Sequence, residues 1–556
     1  MTFSSLSWHH HSIFSYSRWY SILGLGALTA LALPPVYALP ILLFTFGLFG
    51  HLLNTLSDWT TDWKKAAWAG ALFGFGFYAT GLYWLINAVM IRADQFWWFI
   101  PFPSIGCALI LAPTVAIPAA LSLLVPAGIA RLLLFSATWT LADMSRTFIF
   151  SGFTWNSLGS SMAIPGIIGS ILIQPAAWIG EDGLTLFLVL FSTLCGTTFV
   201  EALPSLQQKQ IVSHSSSSYR NSNRTQILYL LYYGIGFITL WVSLGAWRYL
   251  TAHPSGKAGP IVVIVQGNVP ETDKIGQNSP RDIFIRYLTL TAQGIQKAKI
   301  LQASLTTNHQ PKRSIVFLWP ETSFPGYDLL QDSPLARAII MRESTGAQAG
   351  FIGAIRRDNQ GRYRNSLFAL APDGSIEAVY DKARLVPFGE YQPPFIPLQI
   401  VPNGGLAAGP GPQTWHLAHI PAVGPLICYE VIFSGEITNR KDRPRWLANV
   451  TNDAWFGNSA GPRQHLTSVR LRAVEEGIPI ARAANTGISA VYNDLGQCLG
   501  FLKWGKKGVL VVPLPPALPC TLFGRYGQTI PLLLCCLTLF IAFYRTKMPK
   551  KSLARA

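Results

Sequence analysis

The chain has 556 residues, of which 50% are hydrophobic and only 12% charged; a soluble domain is nearer ~25% charged, so much of this chain belongs in lipid. The net charge is +17, from 43 Lys+Arg against 26 Asp+Glu, an excess that in so apolar a chain points to basic cytoplasmic loops rather than to nucleic acid. Of the seven cysteines, Cys107, Cys195, Cys535 and Cys536 fall in apolar runs; this excludes a disulfide scaffold, and no Cys/His spacing calls for a metal.

Residues 1–18 form a polar, aromatic stretch with His9, His10, His11 and Arg18, and read as a cytoplasmic tail. Apolar runs follow near 20–34, 36–54, 65–90, 103–125, 127–149, 165–202 (with a break expected near Gly180), 227–249 and 526–544. A spanning helix needs about 20 apolar residues, and Pro34-Pro35 sets a tight hairpin between the first two runs. The pattern predicts a polytopic α-helical membrane domain of about eight transmembrane helices, seven within 1–249 and one within a C-terminal segment 526–556.

Loop charge orients these spans. Lys64, Lys65, Arg131, Lys209, Arg220, Arg224 and the tail residues Arg545, Lys547, Lys550, Lys551 and Arg555 fall on one side with Arg18. That side is cytoplasmic by the positive-inside rule, which puts the long segment 250–525 outside. The outer loop Gly152-Phe153-Thr154-Trp155-Asn156 holds aromatics at the boundary, where they serve either as an interfacial belt or as a substrate contact.

Residues 250–525 read as one α/β domain. Short apolar strands are expected at 261–265, 314–318, 350–354, 366–371, 375–380, 422–427, 447–450, 480–484 and 508–512, with helices over 280–303 and 463–476. Polar groups recur at the ends of these strands. The strand at 422–427 ends in Cys428, followed by Tyr429 and Glu430. A thiol there suits nucleophilic attack, because neighbouring backbone N–H groups face the atom it attacks; it also suits plain core. Glu321 follows the strand at 314–318, where desolvation fits a general base and pairing fits a structural salt bridge. Lys382 and Glu390 lie eight residues apart around Val386-Pro387-Phe388-Gly389, and a lysine beside a thiol lowers its pKa or holds an oxyanion.

Trp319-Pro320-Glu321, Tyr380-Asp381-Lys382 with Pro387-Phe388-Gly389-Glu390, and Cys428-Tyr429-Glu430, in that order, resemble the nitrilase (carbon–nitrogen hydrolase) superfamily. With the membrane part, the chain resembles the apolipoprotein N-acyltransferase family of bacterial inner membranes. Val265-Gln266-Gly267-Asn268, the stretch Asn452 to Gly457 and the stretch Arg482 to Ser489 extend the match. The resemblance implies an α-β-β-α sandwich for 250–525 and a Glu321, Lys382, Cys428 triad of base, oxyanion holder and nucleophile. Glu390, Tyr429 and Glu430 then support the site. The implied reaction moves the sn-1 acyl chain of a phospholipid, typically phosphatidylethanolamine, through a cysteine thioester to the α-amino group of a diacylglyceryl-cysteine on an apolipoprotein, with no cofactor. A membrane-tethered amidase acting on a small C–N substrate shares the triad but needs no such set of spans, and a transporter should show more ionisable groups within the spans.

The sequence departs from the family where Ile275 follows Lys274 and where Arg384 stands in place of a common histidine. Gly457-Asn458-Ser459-Ala460-Gly461 fits a serine-hydrolase elbow, but only His465 follows and no acid lies between. The loop Tyr391 to Pro402 is apolar, proline-rich and uncharged. Its Phe395, Ile396, Leu398 and Ile400 either dip into the outer leaflet or pack against the domain's own core.

Overall fold

The structure, a computed structural model, describes residues 16–90, 97–149, 151–207, 217–254, 256, 258–270, 280–306, 312–325, 329–392 and 405–547. The N-terminal part is helical: α1 Tyr16–Thr29, α2 Ile41–Thr55, α3 Trp59–Gly81, α4 Ile86–Met90, α5 Phe102–Leu111, α6 Pro113–Leu121, α7 Ile129–Ser145, α8 Ile167–Leu172, α9 Ala176–Gln207 and α10 Ser217–Thr251. The Asp58 side chain caps α3 by accepting from Thr61 N at 3.1 Å. Small residues set the helix spacing. A Cβ on Gly47 of α2 would meet the Gly196 backbone of α9 at 2.6 Å, and one on Gly26 of α1 would meet Phe73 O of α3 at 1.9 Å. Backbones packed this closely are the usual glue between helices in lipid, where apolar burial alone gives no drive.

The span count departs from the expected eight. Among the described residues three helices are long and apolar enough to cross a membrane, Trp97–Leu124, Ala176–Ala202 and Thr529–Thr546, and a fourth results if Trp59–Gly81 and Tyr83–Met90, bent by 53°, form one span. Helices α1, α2 and α7 have 14, 15 and 17 residues, short of the ~20 a bilayer core needs. The apolar run at 165–202 is divided: α8 ends at Leu172, and α9 contains a break at Gly180 with φ 69°.

The second part holds eleven strands: β1 Ile261–Gln266, β2 Ile315–Leu318, β3 Ala349–Arg357, β4 Tyr363–Leu370, β5 Ile376–Asp381, β6 Val423–Ile427, β7 Trp446–Thr451, β8 Ile480–Ala484, β9 Ser489–Tyr492, β10 Cys498–Leu502 and β11 Gly508–Pro513. They form a six-stranded sheet in the order β11-β1-β2-β3-β4-β5 and a five-stranded sheet in the order β10-β9-β8-β7-β6. Strands β1, β2 and β3 pair in parallel, as do β6, β7 and β8. Most of their side chains are buried on both faces, so β1, β2 and β6 read as apolar runs, while β7 and β8 bury Asn449 and Arg482 among apolar neighbours.

Val262, Ile264, Val316 and Leu318 of one sheet meet Ile427, Ala448, Val450 and Ala481 of the other in a shared core. The outer face of the first sheet packs under α11 Pro280–Leu305 and α12 Pro334–Glu343. The outer face of the second carries α13 Gly461–Glu476. This is the α-β-β-α sandwich. Leu426, Leu447 and Ile480 share one apolar cluster with α13 residues and with Phe46, Phe77, Trp84 and Trp155 of the helical part. A short α14 Leu522–Tyr526 then leads into α15 Thr529–Lys547, which packs against α7 and α9.

Candidate active site

Lys382 and Cys428 directly follow β5 and β6, Glu321 lies three residues past the end of β2, and the hydrogen bonds below bring the three strand ends together. Glu321 is 5% exposed. Its Oε1 accepts from Lys382 Nζ at 3.1 Å and from Asn365 Nδ2 at 2.7 Å, and its Oε2 accepts from Asn452 N at 2.8 Å. Lys382, 1% exposed, also donates to Glu390 Oε1 at 2.8 Å. Asn365 Nδ2 reaches that same Glu390 oxygen at 3.0 Å, and Glu390 Oε2 accepts from Val386 N at 2.9 Å. Burial disfavours the lysine's charge, but the Glu321 and Glu390 carboxylates outweigh it and hold Lys382 well above its ordinary value.

Cys428 is buried and opens a 3₁₀ turn, Cys428–Ile432, with φ 51°. Few non-glycine residues adopt this left-handed conformation, and it turns the chain sharply at the end of β6. Burial, reinforced by Glu321, pushes the thiol far up, while Lys382 opposes the shift. The resting group is therefore a thiol, and attack requires a base to remove its proton as the bond forms.

Two expected supporting residues face away from the thiol. Glu430 Oε1 accepts from Tyr380 Oη at 2.5 Å and from Ala383 N at 2.7 Å, and its Oε2 accepts from Ile427 N at 2.7 Å. It staples the end of β6 to the turn after Lys382. Tyr429 reaches into the helical domain: its hydroxyl donates to Gly152 O at 2.6 Å, and its ring stacks on Trp155 at 6.2 Å between centroids. Trp155 of the outer loop is itself buried at the domain joint rather than displayed as a belt residue. Arg384 lies over the Phe433 ring at 5.0 Å, pairs with Glu436 and donates to Ser151 O at 3.3 Å. Ser459 Oγ donates to Phe456 O at 2.6 Å, a local turn contact. Lys274, Ile275 and the loop residues Phe395, Ile396, Leu398 and Ile400 lie outside the described residues.

Sequence reading missed Asn365, which joins the two carboxylates. It also missed the buried His465, Asp453 and Arg482 behind Cys428, although Asp453 and Arg482 lie in stretches that carry the family resemblance.

Residues 276–518 match the carbon-nitrogen hydrolase family model, and residues 25–194 match the apolipoprotein N-acyltransferase N-terminal domain. A carbon–nitrogen hydrolase sandwich docked on an apolar helical domain is thus the class of protein that the fold defines. An apolipoprotein N-acyltransferase of Allorhizobium ampelinum is 34% identical over 87% of each chain, and one of Rhodopseudomonas palustris is 32% identical over 94% of each. The chain belongs to the apolipoprotein N-acyltransferase family. Among solved structures, an amidase from Nesterenkonia sp. is 18% identical, covering 47% of this chain and 92% of its own with a TM-score of 0.34.

Proposed function

We propose that this protein transfers an acyl chain from a membrane phospholipid, through a thioester on Cys428, to the α-amino group of the N-terminal diacylglyceryl-cysteine of apolipoproteins. The donor position is sn-1 and the preferred donor phosphatidylethanolamine. The observation that carries this reading is a buried Lys382 bonded to Glu321 and Glu390, with the next residue, Ala383, tied by Glu430 to the turn that Cys428 opens, in a chain whose relatives of that name align over nearly their full length.

Glu321 takes the Cys428 proton as Sγ attacks the ester carbonyl. Lys382, with the backbone N–H that follows Cys428, holds the tetrahedral oxyanion. The C–O bond then breaks as Glu321 gives that proton to the departing oxygen, so the lysophospholipid leaves as an alcohol and Glu321 is again a carboxylate. In the second half the amine attacks the thioester and passes its proton to Glu321, which returns it to the departing thiolate. One base serves both halves, and the thioester divides one hard transfer into two easier steps. Glu390 holds Lys382 in place, while Glu430 and Tyr429 fix the turns around the nucleophile. Domains 1–249, 250–525 and 526–556 form a multi-pass inner-membrane enzyme with the catalytic domain on the periplasmic side. Both substrates are anchored in lipid, which is a physical reason to tether the sandwich at both ends.

Wild-type protein in vesicles of acyl-labelled phosphatidylethanolamine should acquire label as a hydroxylamine-sensitive thioester and pass it to a diacylglyceryl lipopeptide. Cys428→Ala should take up none, and normal labelling in that variant would overturn the assignment. Hydrolysis of a small amide without acyl transfer would favour the amidase. Reporter fusions at 255 and 556 should report periplasm and cytoplasm respectively; a cytoplasmic signal at 255 would refute the topology.

A further inference from the structure

Three ionisable side chains lie wholly buried behind the nucleophile, and none of them has a part in the two-step reaction. Asp453, His465 and Arg482 are each 0% exposed. His465 Nε2 lies 3.0 Å from the carbonyl oxygen of Cys428. A carbonyl only accepts, so Nε2 carries the proton and donates, whatever Nδ1 holds. On the other side of the ring, Nδ1 lies 2.9 Å from Asp453 Oδ1 and 3.1 Å from Arg482 Nη2. Arg482 Nη2 donates to both Asp453 oxygens, at 3.0 and 2.7 Å, and its Nη1 donates to Asn449 Oδ1 of β7 at 2.8 Å. The Thr451 hydroxyl completes the set on Asp453 Oδ1 at 3.1 Å. The imidazole is thereby fixed to two strands of the sheet, and its free N–H is presented to one backbone atom.

That atom belongs to the residue in the strained conformation. Cys428 has φ 51°, and a non-glycine residue stays there only where its surroundings overdetermine it. We infer that His465 is a positioning residue for acyl transfer, its Nε2–H locking the Cys428 carbonyl so that the turn stays left-handed and the thiol stays aimed at Glu321 and Lys382. The inference rests on the reading of Cys428 as the nucleophile.

The lock is seated in the membrane domain. The Trp155 ring lies against His465 at 5.4 Å and against Tyr429 at 6.2 Å. Gln464, the neighbour of His465, accepts from the indole N–H groups of Trp84 and Trp155 at 2.9 and 2.7 Å, and donates to Gly81 O at 3.2 Å. The residue after the nucleophile and the residue before the lock are therefore both held by the helical part. Burial and Arg482 push the imidazole below its ordinary pKa, with Asp453 opposing. A positioning role thus predicts no new limb in the pH profile, whereas a proton-transfer role would require one.

The test uses the full chain in lipid, with single-turnover thioester formation from labelled phosphatidylethanolamine. His465→Leu removes the donor, and His465→Gln restores an N–H at similar reach. Leu should slow thioester formation by about 50-fold or more at an unchanged half-saturating lipid concentration, and Gln should recover to within about 5-fold, with the pH profile of the wild type. Should the Leu variant fail to fold, His465→Asn replaces it; its amide is too short for the carbonyl, so Gln should exceed it by about 10-fold or more. Leu as fast as wild type, or Gln no better than Leu or Asn, would overturn the inference. Cys428→Ala is run alongside: labelling in that variant would overturn the nucleophile itself, whereas an unlabelled Cys428→Ala beside a fully active His465→Leu would overturn only the lock.

Discussion

Asn365 offers the sharpest test of whether the buried cluster works as a unit. Its Nδ2 donates to Glu321 Oε1 at 2.7 Å and to Glu390 Oε1 at 3.0 Å, alongside the Lys382 ammonium that bonds the same two oxygens. Asn365→Asp keeps the shape and removes both donors. A hydrogen bond to a charged group contributes about 1.5–3 kcal/mol, so the two together are worth about 3–6 kcal/mol. The new carboxylate also faces two others at about 3 Å, where like charges repel by about 5 kcal/mol each at an effective dielectric near 20. The variant must either displace Glu321 or hold a proton on the introduced carboxylate. Thioester formation at pH 8, measured as hydroxylamine-released label per folded molecule, should fall by about 100-fold or more. Protonation restores a donor at position 365, so the ratio of variant to wild-type rate should rise as pH falls toward 6. Asn365→Ala loses the same bonds without the repulsion and should also fall by about 100-fold, but with no such pH dependence. Wild-type rates for Asn365→Asp at pH 8, or identical behaviour of the Asp and Ala variants at every pH, would refute the cluster as the working site.

The thiol's environment makes a second prediction. Burial and Glu321 hold Cys428 far above the ordinary thiol value, so its alkylation by iodoacetamide, followed by peptide mass spectrometry, should rise about tenfold per pH unit from 6 to 9; a plateau below pH 8 would reveal a resting thiolate instead. Glu430 makes a third. All its contacts are accepted bonds, from Tyr380 Oη, Ala383 N, Arg384 N and Ile427 N, so Glu430→Gln must turn an N–H against an N–H. It should cost about 2–3 kcal/mol against about 1 kcal/mol for Tyr380→Phe in denaturant unfolding, and equal losses would deny it the stapling role.

The sandwich is legible in the sequence because its central strands are buried on both faces. The apolar run at 261–265 needs no alternation to be recognised, and the structure extends it only to Gln266. Strands β9 and β10 escape notice: β9 has only four residues, beginning at Ser489, and β10 is interrupted by Gly500 and largely exposed. Lys382 and Cys428 stand out because they directly follow strands, and Glu321 because it closes Trp319-Pro320-Glu321 just past β2. Asn365 does not, since it lies inside β4 with its side chain buried and nothing in the local pattern marks it. The span count is hard to read for a related reason. The break at Gly180 is legible as a glycine within the run, and the structure has it with φ 69°, but hydropathy does not mark the helix ends that leave α1, α2 and α7 at 14, 15 and 17 residues.

Helix α13 shows why residue types alone misplace a segment. Gln464, His465, Arg470, Arg472, Glu475 and Glu476 would ordinarily mark a solvated helix, yet all six are buried. They are tolerated because each finds polar partners, His465 and Glu476 within the sandwich and Gln464, Arg470, Arg472 and Glu475 across the joint. Arg470 donates Nε to Gly496 O at 2.8 Å, Nη1 to Ala163 O and Ile164 O at 2.8 Å each, and Nη2 to Ser170 Oγ at 2.8 Å. Arg472 pairs with Glu181 of α9 and with Glu475 of its own helix. Most of these acceptors belong to the membrane domain, so a sandwich without that domain would leave an arginine with one carbonyl where it now has several. An unpaired buried charge costs far more than a lost surface contact. The same helix presents His465 to the Cys428 carbonyl. Contacts to the helical domain and the contact to the turn at Cys428 thus come from adjacent turns of one helix, so the helical domain bears directly on the geometry of the candidate site.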